Sequence, residues 1–446
     1  MSSPLSEYLF DPVLRGPLWG SLFMCIASAL IGVIVVLRKQ SLTGEMVSHA
    51  SFPGVFAGIA LIANVEGIES NDWLLSLTVL FGALITSLLG MWTTNFLVNR
   101  LKIHGDSALC FVLSLFFGVG ILIASRLQFS HTLLYLRGQS YLFGQAATLT
   151  DAHIWIYFAL GSSVALIIAL FFKEIQLLLF DRQFAQMVGI RINLLESMLS
   201  VLIVVAVIIG LRAVGVVLMA AMLIAPAICA RQWTHSLRHM FLLAAAVGGA
   251  SAFFGVYLSA VCSRWLTALY PEAQLSFPTG PMIVLVASTM TILSLFISPQ
   301  NGWCVRHIRL MRFRGKCAEE NILKALWKRA ESISCAELAS DQPISSLHLK
   351  WIIRRLVQQG FISWKNQNQL ALTPDGESRA SRIVRLHRLW ELYLAQYLGI
   401  GADRVHKSAE EMEHIITPDL EAQLTHLLNN PQVDPHAQPI PPKWSL

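Results

Sequence analysis

PLWGSLFMCIASALIGVIVVL, residues Pro17 to Leu37, decides the fold class. The run holds no charged side chain and is long enough, at about 1.5 Å per helical residue, to cross a hydrocarbon core of about 30 Å. No basic n-region precedes it and it is too long for the apolar core of a cleaved signal, so it reads as a first transmembrane helix. Working outward, similar runs recur near residues 47–63, 74–98, 107–124, 153–172, 194–211, 214–230, 239–262 and 281–298. They predict about nine spans. Only 13% of the chain is charged and 55% is hydrophobic, which excludes an ordinary soluble protein of this length.

The charge is unevenly shared. Residues 1–300 hold 26 of the 60 Asp, Glu, Lys and Arg side chains, and the last 146 residues hold the other 34. The composition therefore breaks near residue 300, and a soluble domain is expected beyond it. Arg38 and Lys39, Arg100 and Lys102, Lys173 with Arg182 and Arg191, and Arg231 with Arg238 fall on alternate connections, which places those loops in the cytoplasm. Glu66, Glu69 and Asp72 then face outward, the N-terminus lies outside, and the C-terminal domain lies inside. Seven cysteines without a CxxC pair suggest neither a disulfide framework nor a thiolate zinc site.

Three features of the membrane half bear on chemistry. In GEMVSHASFPG (Gly44 to Gly54), Glu45 and His49 stand four apart on one helical face at a membrane boundary, a pairing suited to a passing divalent transition metal. A solvated charge beside a packing histidine fits the same spacing, and on spacing alone is preferred. FDRQFAQMVG (Phe180 to Gly189) has the size of a short helix lying across the cytoplasmic face, either docking a partner or packing on its own bundle. Prolines 226, 278 and 281 mark segments that kink or start a span near a pathway, or are ordinary punctuation.

Together SHASFPG, KIHGDSAL from Lys102, LFGQ at Leu142 to Gln145, FDRQFAQMVG, VGVVLMAAMLIAPAICAR and FPTGP resemble, in order, the ABC-type metal-ion permeases of the zinc, manganese and iron uptake class, the ABC-3 family. The resemblance spans nearly all of residues 15–298. It implies that Glu45, where the family usually has aspartate, and His49 line the metal route. It also implies that Phe180, Asp181, Arg182, Ala185 and Gly189 belong to the helix that couples to an ATPase. The chain has no GxxxxGK[ST] loop, so it is expected to bind no nucleotide and to be no enzyme itself. The implied partners are a separate ABC ATPase subunit, a periplasmic metal-binding protein, and a second permease copy or paralogue, in a bacterial inner membrane.

Arg306, Arg309, Arg312, Arg314 and Lys316 crowd the join, residues 301–317, where they are expected to meet anionic membrane lipid, with a lesser role at DNA phosphate. Beyond it, ENILKALWKRA, CAELASD and ISSLHLKWIIRRLVQQG read as three amphipathic helical stretches, and FISWKNQNQLALT (Phe361 to Thr373) as a two-stranded wing. In the third stretch Leu347, Trp351, Ile352 and Leu356 are expected to face a core, leaving Ser345, Ser346, His348, Lys350, Arg354 and Arg355 to contact operator DNA. Residues 318–375 thus read as a winged helix-turn-helix and 376–446 as a metal-binding and dimerisation domain.

RLHRLWELYL sets His387 and Glu391 at i, i+4, and VHKSAEEMEH sets His406, Glu410, Glu413 and His414 at i, i+4, i+7, i+8. Such faces suit one or two divalent ions, or are simply solvated charge-laced helices. With the closing DPHAQPIP these segments resemble the diphtheria-toxin-repressor family of metal-dependent regulators over roughly residues 318–440. That resemblance implies that all six side chains are metal ligands and that the domain binds operator DNA as a dimer. The first-helix ligand position falls on Asn321 or Glu320, Val433 replaces a common cysteine, and no counterpart of the family's SH3-like third domain is expected.

The expected whole is an all-α polytopic membrane protein of about nine transmembrane helices with a C-terminal cytoplasmic winged-helix and helical metal domain. Its expected function is ATP-driven import of a divalent metal, iron or manganese ahead of zinc, joined to a metal-dependent repressor. In-place inhibition of transport by the soluble half, and an ion-coupled secondary transporter, are the alternatives. An unpacked basic join would further predict cleavage near Arg314 to release a soluble fragment.

Overall fold

The computed structural model describes residues 12–62, 72–270, 276–300, 302–329, 332–335, 337–338, 345–366 and 369–442. The chain divides into two compact units, residues 1–305 and 306–446.

In the first unit the helices are α1 (Pro12–Leu37), α2 (Ser41–Ile62), α3 (Asp72–Asn99), α4 (Gly105–Ser130), α5 (Thr132–Phe143), α6 (Asp151–Leu170), α7 (Phe172–Phe180), α8 (Arg182–Met187), α9 (Ile192–Leu211), α10 (Val216–Trp233), α11 (Leu237–Leu269) and α12 (Thr279–Ile297). Among the described residues nine of them, α1 to α4, α6 and α9 to α12, are long and apolar enough to span a membrane, and each overlaps a run expected from the sequence. α4 and α11 outrun their apolar stretches because backbone hydrogen bonding continues after hydropathy ends. α1 and α2 form the buried centre, whereas Phe81, Leu89 and Trp92 of α3 and Phe111, Leu122 and Phe129 of α4 present apolar surface outward.

With apolar lipid outside, packing inside depends on close backbone approach rather than on hydrophobicity alone. Gly54 of α2 and Gly82 of α3 provide it: a Cβ on Gly54 would lie 2.1 Å from the Gly82 carbonyl oxygen, and one on Gly82 would lie 2.3 Å from that of Gly54. Gly144 in LFGQ takes φ +72°, and a Cβ there would sit 2.3 Å from the Val214 carbonyl carbon. α12 is tied to α10 beside Pro226, where Thr291 donates to the Ala225 carbonyl at 2.9 Å and the Trp233 indole donates to Ser294 at 2.7 Å. Pro226 lies within a continuous α10, and Pro278 caps the start of α12.

The second unit contains α13 (Trp303–Arg329, which begins just before the division), β1 (Ile333–Ser334), α14 (Ser346–Gln358), β2 (Ile362–Asn366), β3 (Gln369–Leu372), α15 (Pro374–Tyr397), α16 (Ala402–Met412) and α17 (Pro418–Leu427). The strands form an antiparallel sheet in the order β1-β3-β2, with Ile362 opposite Leu372 and Trp364 opposite Leu370. Thr373 caps α15 by accepting from the Gly376 amide at 3.1 Å, with Pro374 opening the helix. Most of CAELASD lies outside the described residues.

Two expectations are corrected here. Leu347 and Trp351 do not face the core: they are 79% and 54% exposed, while Leu349, Ile352, Ile353 and Leu356 are buried. The buried set follows i, i+3, i+4, i+7, the stripe a straight helix presents, and the expected set did not. The basic join is also not an irregular linker. Arg306, Arg309, Arg312 and Arg314 are exposed within the continuous helix α13, so cleavage at Arg314 would require that helix to unwind locally.

Candidate metal centres and the family of the chain

In the membrane unit, Glu45 and His49 occupy the first half of α2, and both are partly buried. His49 stands edge-on to Phe117, with ring centroids 4.9 Å apart, and its buried Nδ1 has no hydrogen-bond partner among the described residues. An imidazole nitrogen left with an unused lone pair or N–H is costly to bury unless something else meets it. An imidazole nitrogen of this kind can ligate a divalent cation, and Glu45 stands one turn away.

The Phe180 to Gly189 segment folds as α8 with its flanks. Asp181 caps it, accepting from the Phe184 amide at 2.9 Å, and Ala185 is buried underneath. Gly189 ends it at φ +89°, where no neighbouring atom crowds the Cβ position, so the backbone angle alone calls for glycine. Phe180, Phe184, Met187 and Val188 are left exposed on this short segment. Arg182 reaches Glu196 of α9 at 3.2 Å, and Arg38 from the end of α1 reaches the other oxygen of Glu196 at 3.3 Å.

In the soluble unit, three of the six expected ligands meet. Glu391 Oε1 lies 3.1 Å from His387 Nε2 and 2.9 Å from His406 Nδ1, and the two imidazole nitrogens are 3.0 Å apart. His387 and Glu391 are buried on α15, and His406 projects from α16 at the edge of a cavity of about 1300 Å³. The three donor atoms lie within 4.8 Å of one another, so one divalent ion at about 2.0–2.3 Å from each could be shared. The set holds nitrogen and oxygen and no thiolate, which suits manganese, iron or zinc.

Burial opposes the negative charge of Glu391, but hydrogen bonds with His387 and His406 outweigh it and hold the carboxyl at about 2. Burial likewise opposes a charged His387, yet its hydrogen bonds to Glu391 and Glu413 leave its pKa above the ordinary histidine value.

The other three expected ligands are placed differently. Glu410 is exposed at the rim, 3.5 Å from His406 Nε2. α16 ends at Met412, and the turn that follows carries Glu413 and His414 into the interior, so the four residues of VHKSAEEMEH do not share one environment. Glu413 is bound by Lys324 at 2.7 Å, and His414 by Glu320 at 2.7 Å. Sequence reading passed over Lys324 altogether. It also passed over Asp434 and His436, which form a second donor group with Glu391. DPHAQPIP contains that pair, but only a chain reversal brings it to α15. Asp434 makes the reversal by accepting from the amides of His436 at 2.9 Å and Gln438 at 2.8 Å.

Of the residues expected at DNA, Ser345, His348, Lys350, Arg354 and Arg355 are exposed on or beside α14, while the side chain of Ser346 lies outside what is described. Arg355 is engaged within the unit, 3.1 Å from Glu319 and over the Trp351 ring.

Residues 11–298 match the ABC 3 transport family, and residues 373–442 match the iron dependent repressor, metal binding and dimerisation domain. The chain is 34% identical to a probable metal transport system membrane protein of Chlamydia trachomatis over 430 residues, 94% of each chain. It is 34% identical to the manganese transport system membrane protein MntC of Bacillus subtilis over 391 residues, covering 86% of this chain and 85% of that one. The solved structure of PsaBC from Streptococcus pneumoniae in complex with Fab aligns at a TM-score of 0.55 with 24% identity, covering 69% of this chain and 98% of that one, a likeness of fold. A family match over most of the chain, and a relative alike from end to end, leave one assignment: this is a multi-pass membrane protein of the ABC 3 transport family, bearing a metal-binding and dimerisation domain of the repressor type at its C-terminal end.

Proposed function

We propose that the membrane half is the translocation pathway of an ATP-driven importer of a divalent metal, manganese foremost, and that the soluble half reads the same metal in the cytoplasm and represses transcription of uptake genes. The observation that carries this reading is the triad of His387, Glu391 and His406, three oxygen and nitrogen donors within reach of one ion, in a chain whose membrane half belongs to the ABC 3 transport family. The relative named for manganese transport favours manganese over iron, and the nitrogen and oxygen donors of the triad accept it.

In this reading Glu45 and His49 offer the passing ion an oxygen and a nitrogen inside the bundle. The exposed apolar surface of Phe180, Phe184, Met187 and Val188 receives an ABC ATPase subunit, and an extracytoplasmic binding protein delivers the metal. The bundle pairs with a second permease. His387 and Glu391 of α15 and His406 of α16 would hold the sensed ion, which when bound would supply a positive charge shared by donors from both helices. Ser345, His348, Lys350 and Arg354 then meet operator DNA, with two copies acting as a dimer.

The test is paired. Uptake of labelled manganese is measured in cells producing the chain with its ATPase and binding protein, alongside a reporter under the promoter of the same genes. His49→Ala should abolish uptake and spare repression by added metal in permeabilised cells, whereas His406→Ala should spare uptake and abolish repression. Loss of neither activity in its own variant would refute the division of labour.

A further inference from the structure

Glu413 is shut off from solvent and already has partners for both of its oxygens. Its Oε1 and Oε2 lie 2.9 and 2.7 Å from the Nζ of Lys324 on α13, and Oε2 lies 2.5 Å from His387 Nδ1. The same Nζ is 3.2 Å from His387 Nδ1. Both side chains of the pair are buried, Glu413 completely and Lys324 to 7% exposure. One ammonium group thus donates to both oxygens of a carboxylate that also accepts from the His387 Nδ1–H, so a fixed positive charge occupies the place where a cation would meet Glu413 and His387, at hydrogen-bonding rather than coordination distances.

A carboxylate this deep needs a compensating charge. Here the chain supplies it covalently, and a divalent ion at the same place would face a like charge with little water between them. His387 is the joint between two positions: its Nδ1 looks to Lys324 and Glu413, and its Nε2 looks to Glu391 and His406. His414, the remaining expected ligand near Glu413, is held by Glu320 at 2.7 Å.

Resting on the metal-sensing reading above, we propose that Lys324 is a built-in cation filling the position of a second metal ion between Glu413 and His387, so that the soluble half exchanges its ion only among the donors that converge on the one carboxylate of Glu391. Glu413 is then a positioning residue that orients His387. Helix α13 is fastened to α15 and the end of α16 whether or not metal is present. The response to metal follows one-site saturation rather than cooperative loading.

The test counts manganese by equilibrium dialysis against MnCl2 and elemental analysis, on the full chain in lipid nanodiscs. Differences between variants cancel whatever the membrane half binds. The wild type should hold one ion more than Glu391→Gln. Glu413→Gln should keep that ion, with affinity lowered by about ten- to a hundredfold, as for an outer-shell partner. Lys324→Glu should gain one further ion. Loss of the ion in Glu413→Gln as complete as in Glu391→Gln would make Glu413 a ligand and overturn the proposal while leaving metal sensing intact. Equal counts in wild type and Glu391→Gln would overturn both.

Discussion

Arg182, in the short helix α8, stands 3.2 Å from Glu196 on α9. The other oxygen of that carboxylate lies 3.3 Å from Arg38 at the end of α1, so one acid ties the proposed ATPase contact to two spans of the bundle. Arg182 is largely exposed and Glu196 partly so, which keeps the stabilisation small. Glu196→Gln should therefore leave the folded yield unchanged and lower ATP-driven uptake by roughly two- to fivefold, the worth of one partly exposed ion pair. Uptake per copy in proteoliposomes with the ATPase measures it, and unchanged uptake would remove Glu196 from the coupling route.

Close packing of α2 on α3 depends on Gly54 and Gly82, where each missing Cβ leaves room for the other's carbonyl. Gly54→Ala should lower the stability of the purified protein by roughly 1–3 kcal/mol, the usual cost of overpacking. Gly118→Ala on α4, where a Cβ meets nothing within 4 Å, should be neutral. Thermal unfolding in detergent separates the two.

His387→Ala and Glu391→Ala each remove a donor from the triad and should weaken manganese binding by more than roughly a hundredfold, beyond what loss of an outer-shell partner costs. Glu410→Ala, at the exposed rim 3.5 Å from His406, should cost less than either. Titration with Mn2+ followed by its EPR signal reads the ranking, and an equal loss for Glu410→Ala would make that residue a full ligand.

Because the metal-free fold holds His387 above its ordinary pKa, a proton must leave before an ion can bind. Manganese affinity should rise with pH through the folded pKa of His387, with proton release visible as a dependence of the calorimetric heat on buffer ionisation enthalpy. For the metal-free domain the sign is opposite. The raised His387 pKa contributes stability that is complete below about 6.5, its unfolded value, and is lost as pH rises through the folded value. Glu391, held at about 2, contributes stability above its ordinary value that is lost only as pH falls toward about 2.

The membrane helices were legible because a span is a one-dimensional object: a run such as Pro17 to Leu37 declares itself by length and lack of charge. α8 was legible as a short helix by its size, whereas its cap at Asp181 and its stop at Gly189 emerge only in the structure. The core face of α14 was misjudged by starting the stripe at Leu347, an exposed residue, instead of Leu349. The metal centre was half legible. Spacing within one helix paired His387 with Glu391, and His406 required only the next helix. Lys324 is 89 residues from Glu413, and Asp434 approaches Glu391 only through a chain reversal, so no local period could announce either.

The central claim, that one chain both admits a metal and reports on it, is tested most directly by DNA binding of the full chain in nanodiscs to the region upstream of its own gene. Retardation should be absent without metal, appear with Mn2+, and vanish in Glu391→Ala while ATP-driven uptake by that variant persists. Binding that ignores metal, or no binding at any manganese concentration, would contradict it.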